Sequence, residues 1–379
     1  MRKNNIFLTG FIIVFFIHCF SIGFVYGMDD EEPIDEAMLK DFIQKAYDTK
    51  CKCMIEGDWK ELKQYYDTTK KYAQWSYEHE AKRIKYLADW SSKRDAGFTD
   101  IRSIIDLKRV KKRDGIYLLS VTEVLQFDYA YNDDIDEQKN SFEVTLQHSI
   151  GLINKDKRWF ISRDWYTDCF LNALGPYSGI YIGKNDDEFL EKLKVVKAVN
   201  LGGVKYDRQK AVQYADKYYS KYNSKYKDCN GIGGDCTNYV SQCISDKEEG
   251  GGIAFDRIWF CVYPKHGGRA EGSKAFVNTD AFKGYLVYSG RGRVLRRGDF
   301  EEVTKKSDDY PIGAAGLLQI GDLICYEVKG QIDHFSIITA KDSKGYPMIN
   351  SHTVERYHVP FDLGWGGKNI KFHLIKIVF

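Results

Sequence analysis

From Ala37 onward, Met38, Leu39, Phe42, Ile43 and Ala46 recur at i, i+3 and i+4, which predicts an amphipathic helix. A second helical stretch is predicted from about Trp59 to Ser91, rich in Tyr, Trp and Lys with Glu. The period then drops to two. Residues 116–124 read as a strand, and residues 142–152 alternate apolar and polar side chains as a half-buried antiparallel strand does. Residues 154–157 form a turn and residues 158–165 the return strand. Helices followed by a meander of strands describe an α+β unit. The helical pattern restarts over residues 206–221. Later come a buried strand at 323–326, a loop at 330–333 and a strand at 335–339 headed by His334. Asp342-Ser343-Lys344-Gly345 is a hairpin turn, and residues 346–353 return. The expected fold class is α+β throughout.

Two features outside this pattern bound the chain. Residues 6–26 carry no charge, follow Arg2 and Lys3, and precede Asp29, Asp30, Glu31 and Glu32. This reads as an export signal over residues 1–27, cleaved near Val25-Tyr26-Gly27. The run is also long enough to stay as a membrane anchor. Cys19 lacks the small preceding residue of a lipidated cysteine. The chain is therefore expected to be secreted or at a cell surface or wall, meeting the membrane only through its N-terminal segment. A polar stretch at 183–187, a short helical segment at 189–199 and Leu201-Gly202-Gly203 place a boundary between domains 28–200 and 201–379. Frequent Lys, Asn, Ile and Tyr point to an AT-rich bacterial genome. With 56 basic and 54 acidic residues the net charge is +2, which gives no support for nucleic-acid binding.

The candidate chemistry lies at Gly233-Gly234-Asp235-Cys236-Thr237-Asn238-Tyr239-Val240-Ser241-Gln242-Cys243. A glycine-rich loop ends at a cysteine that opens a helix, where backbone N–H groups and the helix dipole favour the thiolate. Cys236 is the candidate nucleophile. His334, downstream in Asp333-His334, is the candidate base. The hairpin turn near Ser343 brings His334 opposite residues 350–352, so Asn350 or His352 can orient it; the two share one face of the strand. Asp235 is read as the helix cap. The oxyanion hole would use the Cys236 N–H and a second donor, for which Asn230 is the candidate; Asn230-Gly231 is equally a turn dipeptide. Cys243 reads as a buried core cysteine, Asn238 and Gln242 as buried hydrogen-bonding residues, and His266 as an exposed loop residue. Trp259, Tyr263, Phe276 and Trp365 are candidates for lining a cleft. His79 and His148 are read as surface or packing residues.

Two resemblances extend this reading. Residues 37–170 resemble the cystatin-like cone of the nuclear-transport-factor-like superfamily, a curved sheet wrapping a helix. The run Tyr206-Asp207-Arg208-Gln209-Lys210-Ala211-Val212-Gln213-Tyr214-Ala215, then the Cys236 block, Gly321-Asp322-Leu323-Ile324, Asp333-His334 and Ser351-His352-Thr353 resemble the bacterial putative amidase domain family. Tyr239 stands where that family usually has Phe. The family is similar to papain-like peptidoglycan hydrolases and cysteine/histidine-dependent amidohydrolases. The resemblance implies a papain-like α+β domain that hydrolyses an amide through a thioester, without metal or cofactor, with His352 favoured over Asn350 as orienter. Its implied substrate is the peptide part of peptidoglycan. The alternatives are a secreted protease or toxin-like amidase acting on proteins, and an inactive fold that binds wall or a partner protein.

Overall fold

The computed structural model describes residues 35–133, 138–180, 206–307, 310–367 and 369–378. The expected export signal and the 183–203 boundary region lie outside them. From Ala37 to Phe379 the chain forms one compact unit. Helix α1 (Glu36–Glu56) and helix α2 (Lys71–Lys93) flank a 3-10 turn at Lys60–Tyr65. The single helical stretch expected from Trp59 is thus broken at residues 66–70. Asp67 there accepts from Thr69 Oγ1 at 2.6 Å and pairs with Lys155, and Tyr66 bridges to Ile161. Local side-chain bonds of this kind compete with helix.

Four strands follow: β1 (Ala96–Arg113), β2 (Ile116–Tyr131), β3 (Asn140–Lys155) and β4 (Arg158–Trp165). β1 escapes the period-two pattern because Ser103 points inward while Ile104 is exposed. The C-terminal half continues with α3 (Arg208–Tyr218), α4 (Cys236–Ser245), β5 (Cys261–Val262) and β6 (Glu271–Gly272). Then come α5 (Lys274–Val277), α6 (Thr279–Tyr288), β7 (Gly292–Gly298) and α7 (Phe300–Thr304). The chain ends with β8 (Leu323–Val328), β9 (Gln331–Lys341), β10 (Pro347–Ser351), β11 (Glu355–Pro360) and β12 (Ile370–Ile377). β9 starts three residues before His334, because the two-residue turn Lys329-Gly330 joins it directly to β8.

One antiparallel sheet runs through both halves in the order β1-β2-β3-β11-β10-β9-β8-β12-β7. β3 serves two neighbours along one edge: Glu143, Val144 and Thr145 pair with β11, and residues 149–155 pair with β4. The mixed α/β class with a large antiparallel sheet agrees with the α+β expectation. α3, α4 and α6 bury Tyr214, Tyr239, Val240, Cys243 and Phe282 against Phe335, Ile337, Leu323 and Cys325. Cys243 is a fully buried core cysteine, as expected.

The interior of the N-terminal half is charged. Lys50 meets Glu123 at 3.0 Å. His148 lies between Glu123 at 3.1 Å and Asp164 at 2.8 Å, and Tyr47 donates to Asp164 at 2.8 Å. His148 is therefore a buried network member, and not a surface residue. Burial opposes its imidazolium, but the Asp164 and Glu123 carboxylates outweigh burial and raise its pKa to about 9.

A folded-state value above the ordinary 6.5 stabilises the fold fully below about pH 6.5, and that stabilisation fades as pH rises through about 9. Urea titrations should show wild-type stability falling across this window by on the order of 3 kcal/mol. The His148→Gln variant should be less stable at pH 6.5 and flatter across the window. Equal slopes for the two proteins would remove His148 as the source.

Candidate active site

A tight glycine turn brings the start of α4 against the end of β10. Gly234 has φ 107°, and a Cβ there would stand 2.9 Å from Thr353 Oγ1, so a side chain would be strained and crowded. The next residue donates its N–H to that same oxygen at 2.9 Å. Cys236 is the first residue of α4, and every residue of the helix is buried. Its polar side chains are satisfied from within. Gln242 accepts from Tyr214, Ser241 accepts from the Trp259 indole, and Asn238 donates to the Lys227 carbonyl and to Asp235. Asn238 and Gln242 thus behave as expected.

The Thr237 hydroxyl lies 3.8 Å from the Cys236 sulfur, and the Phe335 and Thr237 backbone amides act on it as well. These donors favour the thiolate, as anticipated for a helix N-terminus. Burial outweighs them, and the Asp235 carboxylate adds to it, so the thiol pKa is raised. The expectation of a primed thiolate is corrected accordingly: the resting group is a neutral thiol.

His334 is adjacent in the chain to Phe335, whose amide favours this thiolate. Strand alternation sends Phe335 and Ile337 into the core beneath α4 and turns His334 and Ser336 to the other face. The His334 ring lies 5.6 Å from Tyr326 and 5.3 Å from Trp365. Its Nε2 is buried without a hydrogen-bond partner. Burial, and then the charges of Arg356 and His352, hold its pKa well below the ordinary histidine value. The imidazole is neutral and able to accept a proton. Among the described residues, no hydrogen bond joins Cys236 to His334; the Phe335 amide links them.

Among the described residues, neither candidate orienter hydrogen-bonds His334. His352 Nδ1 bonds Asp235 Oδ2 at 2.7 Å, and Nε2 bonds the Tyr218 carbonyl at 2.8 Å. Both partners are acceptors, so both contacts are satisfied only when both ring nitrogens carry hydrogen. The ring is stacked between Tyr239 at 3.8 Å and Tyr222 at 4.0 Å. Asn350 accepts from Thr339 at 2.9 Å and from the His358 N–H at 2.8 Å, and donates to Asp216 at 2.9 Å. Asn230 is exposed and donates to the Tyr222 hydroxyl at 2.7 Å, which ties it to the His352 stack.

Asp235 departs from its expected role. It occupies the cap position but makes no side-chain cap bond. Its Oδ1 accepts from the Cys229 N–H at 2.9 Å and Asn238 at 2.7 Å, and its Oδ2 holds His352. Sequence reasoning missed this pairing and the tyrosine sandwich; Tyr239 in place of Phe was the available signal. The expected aromatic cleft is not formed. Trp259 and Phe276 are core residues behind α4, Tyr263 is exposed, and Trp365 lies apart from them beside His334. His266 is exposed. Among the described residues, no cluster of His, Cys, Asp and Glu could hold a metal ion.

Residues 205–375 match the family described as Putative amidase domain, which supports an amidase-like family for this part of the chain. The chain is 30% identical over 159 residues to the Uncharacterized protein YhbB of Bacillus subtilis (strain 168). The match covers 40% of this chain and 42% of that protein, so the chain spans less than half of that relative's length. No solved structure matches.

Two outcomes follow from the geometry. Iodoacetamide at pH 7.5 should modify Cys236 in the folded protein roughly tenfold or more slowly than a free thiol, read from the mass of its peptide. Modification at the free-thiol rate would contradict the buried neutral state. His352→Gln should destabilise by roughly 3 kcal/mol by leaving the buried Asp235 carboxylate without its partner. A double-mutant cycle with Asp235→Asn should return a coupling of about 1 kcal/mol or more, and additive effects would dissolve the pair.

Proposed function

We propose that this chain is an exported cysteine-dependent amidohydrolase acting on the peptide part of peptidoglycan. In this reading a cystatin-like N-terminal half is joined to a papain-like amidase domain. The observation that carries it is Cys236 at the N-terminus of α4, buried and with the Phe335 amide favouring its thiolate, inside a segment that matches the putative amidase domain. The charge-free run of residues 6–26 supports export.

In the proposed reaction His334 takes the Cys236 proton, and the sulfur attacks the amide carbon. The tetrahedral oxyanion collapses, the C–N bond breaks, and the imidazolium gives its proton to the leaving amine. Water, deprotonated by the same imidazole, then attacks the thioester and releases a carboxylate and the thiol. In this reading the Cys236 N–H at the start of α4 serves as an oxyanion donor. The neutral thiol and imidazole are the starting forms for proton transfer, but burial raises the thiol pKa and lowers that of the imidazole, so the transfer requires that burial to be relieved. The proposed transfer needs the two side chains in contact, and at rest they are not: His334 projects from the face of β9 turned away from α4, and among the described residues no hydrogen bond joins it to Cys236. His352, held by Asp235, fixes the start of α4 against the end of β10 and so positions Cys236.

The buried thiol also suits a second reading, a binding module without turnover. Purified peptidoglycan incubated with wild type and with Cys236→Ala, followed by muropeptide mass spectrometry, separates these. New fragments from the wild type alone are expected. Wall retention by both proteins with identical fragment profiles would favour the binding module. Cleavage of casein with no change in muropeptides would move the substrate to proteins.

A further inference from the structure

Residues 361–367, between β11 and β12, carry Trp365 to His334. The indole stacks on Tyr326 at 4.2 Å and 21°, and lies 5.3 Å from the imidazole. The Arg356 guanidinium lies over the indole, 5.3 Å from the ring centroid. Trp365 Nε1 and His334 Nε2 are both buried without partners, so packing alone holds the imidazole. The position of this loop therefore decides the position of the ring.

The loop rests on the N-terminal half. The Trp90 indole on α2 donates to Asp362 Oδ2 at 2.9 Å, and Arg94 ion-pairs with Oδ1 of the same carboxylate. The Gly364 N–H donates to the Tyr86 hydroxyl at 2.7 Å. The Arg356 guanidinium donates to the Cys169 carbonyl. Gly364 has φ 90°, and a Cβ there would strike the Cys169 carbonyl and Arg356. A Cβ on Gly366 would stand 3.3 Å from Ala173. The backbone of the loop thus lies directly on residues 169–173, closer than a side chain would permit.

We propose that α2 and residues 168–173 form a positioning shelf for the candidate active site, holding loop 361–367 so that Trp365 fixes the His334 ring. The catalytic meaning of the shelf rests on the reading of His334 as the base. The consequence is that residues 205–375 do not carry a complete site by themselves. The support beneath the loop that carries Trp365 is built from a part of the chain outside the segment that matches the amidase family. Tyr86, Trp90 and Arg94 are positioning residues, acting on His334 through Asp362, Gly364 and Trp365.

The test uses the full chain with labelled histidine, following the His334 ring by NMR and assigning it by its loss in His334→Gln. In the wild type the ring should stay neutral from pH 8 down past the ordinary histidine midpoint, shielded by Trp365 and facing the charges of Arg356 and His352. Tyr86→Phe removes the hydroxyl that accepts the Gly364 N–H, and Gly364→Ala lifts the loop. Both should move the His334 titration toward the ordinary midpoint, by at least tenfold in proton affinity for Gly364→Ala. Trp365→Phe, which keeps a stacked ring, should stay near wild type, whereas Trp365→Ala should shift as Gly364→Ala does. An unchanged His334 titration in folded Tyr86→Phe and Trp365→Ala would overturn the shelf. The readout needs no turnover. A wild type that hydrolyses no amide would defeat the catalytic reading while leaving the shelf standing. Where turnover is measurable, these variants should lower kcat more than they raise KM.

Discussion

Three residues of β3 pairing with three of β11 make this protein one structure. Glu143, Val144 and Thr145 face Tyr357, Arg356 and Glu355, and across that ladder the hydrogen bonding of the N-terminal meander passes into the C-terminal sheet. The same register fixes Arg356, whose guanidinium lies over Trp365 and reaches the Cys169 carbonyl. A sheet that changes partners halfway along one strand sets the two halves at a defined angle and spacing. Everything at their boundary inherits that geometry: the Arg94 contacts to Asp342 and Asp362, the Tyr129 and Tyr131 hydroxyls on Asp342, and the loop that carries Trp365.

The interior contains more charge than a core of this size needs, and the charges are arranged in compensated groups. Lys50, Glu123, His148 and Asp164 form one, and Arg83, Glu80 and Asp168 another. Arg94 with Asp342 and Asp362 forms a third at the boundary between the halves. Buried ions cost several kcal/mol each to desolvate, so such groups add little net stability; they penalise any packing in which a partner is missing. That penalty suits a boundary whose registration matters to a site some distance away.

The site itself shows the same burial working against reactivity. The helix N-terminus and the Phe335 amide favour the Cys236 thiolate, while burial favours the thiol. His334 is held neutral by enclosure and by nearby positive charge. A thiol and an imidazole kept neutral and apart are chemically quiet at rest. His352, stacked between two tyrosines and tied to Asp235, is the rigid element of the site.

Local regularity made part of this legible from the residues alone. The alternation in β3, the apolar runs of β8 and β9, the turn before β10 and the glycine turn into α4 are set by neighbours a few positions apart, and the last placed Cys236 at a helix start. The break between α1 and α2, the parity fault in β1 and the early start of β9 were hidden, because side-chain bonds and turn geometry overrode the apolar pattern there. The partners of the site residues were hidden for a stronger reason. Asp235 and His352 meet across 117 positions, and Trp90 and Asp362 across 272. The sequence by itself determined which side chains could do chemistry and on which kind of element each sits. Only the tertiary structure decided that His352 faces Asp235 and that His334 faces Trp365, because strand pairing over such separations is chosen by the burial and charge balance of the whole sheet.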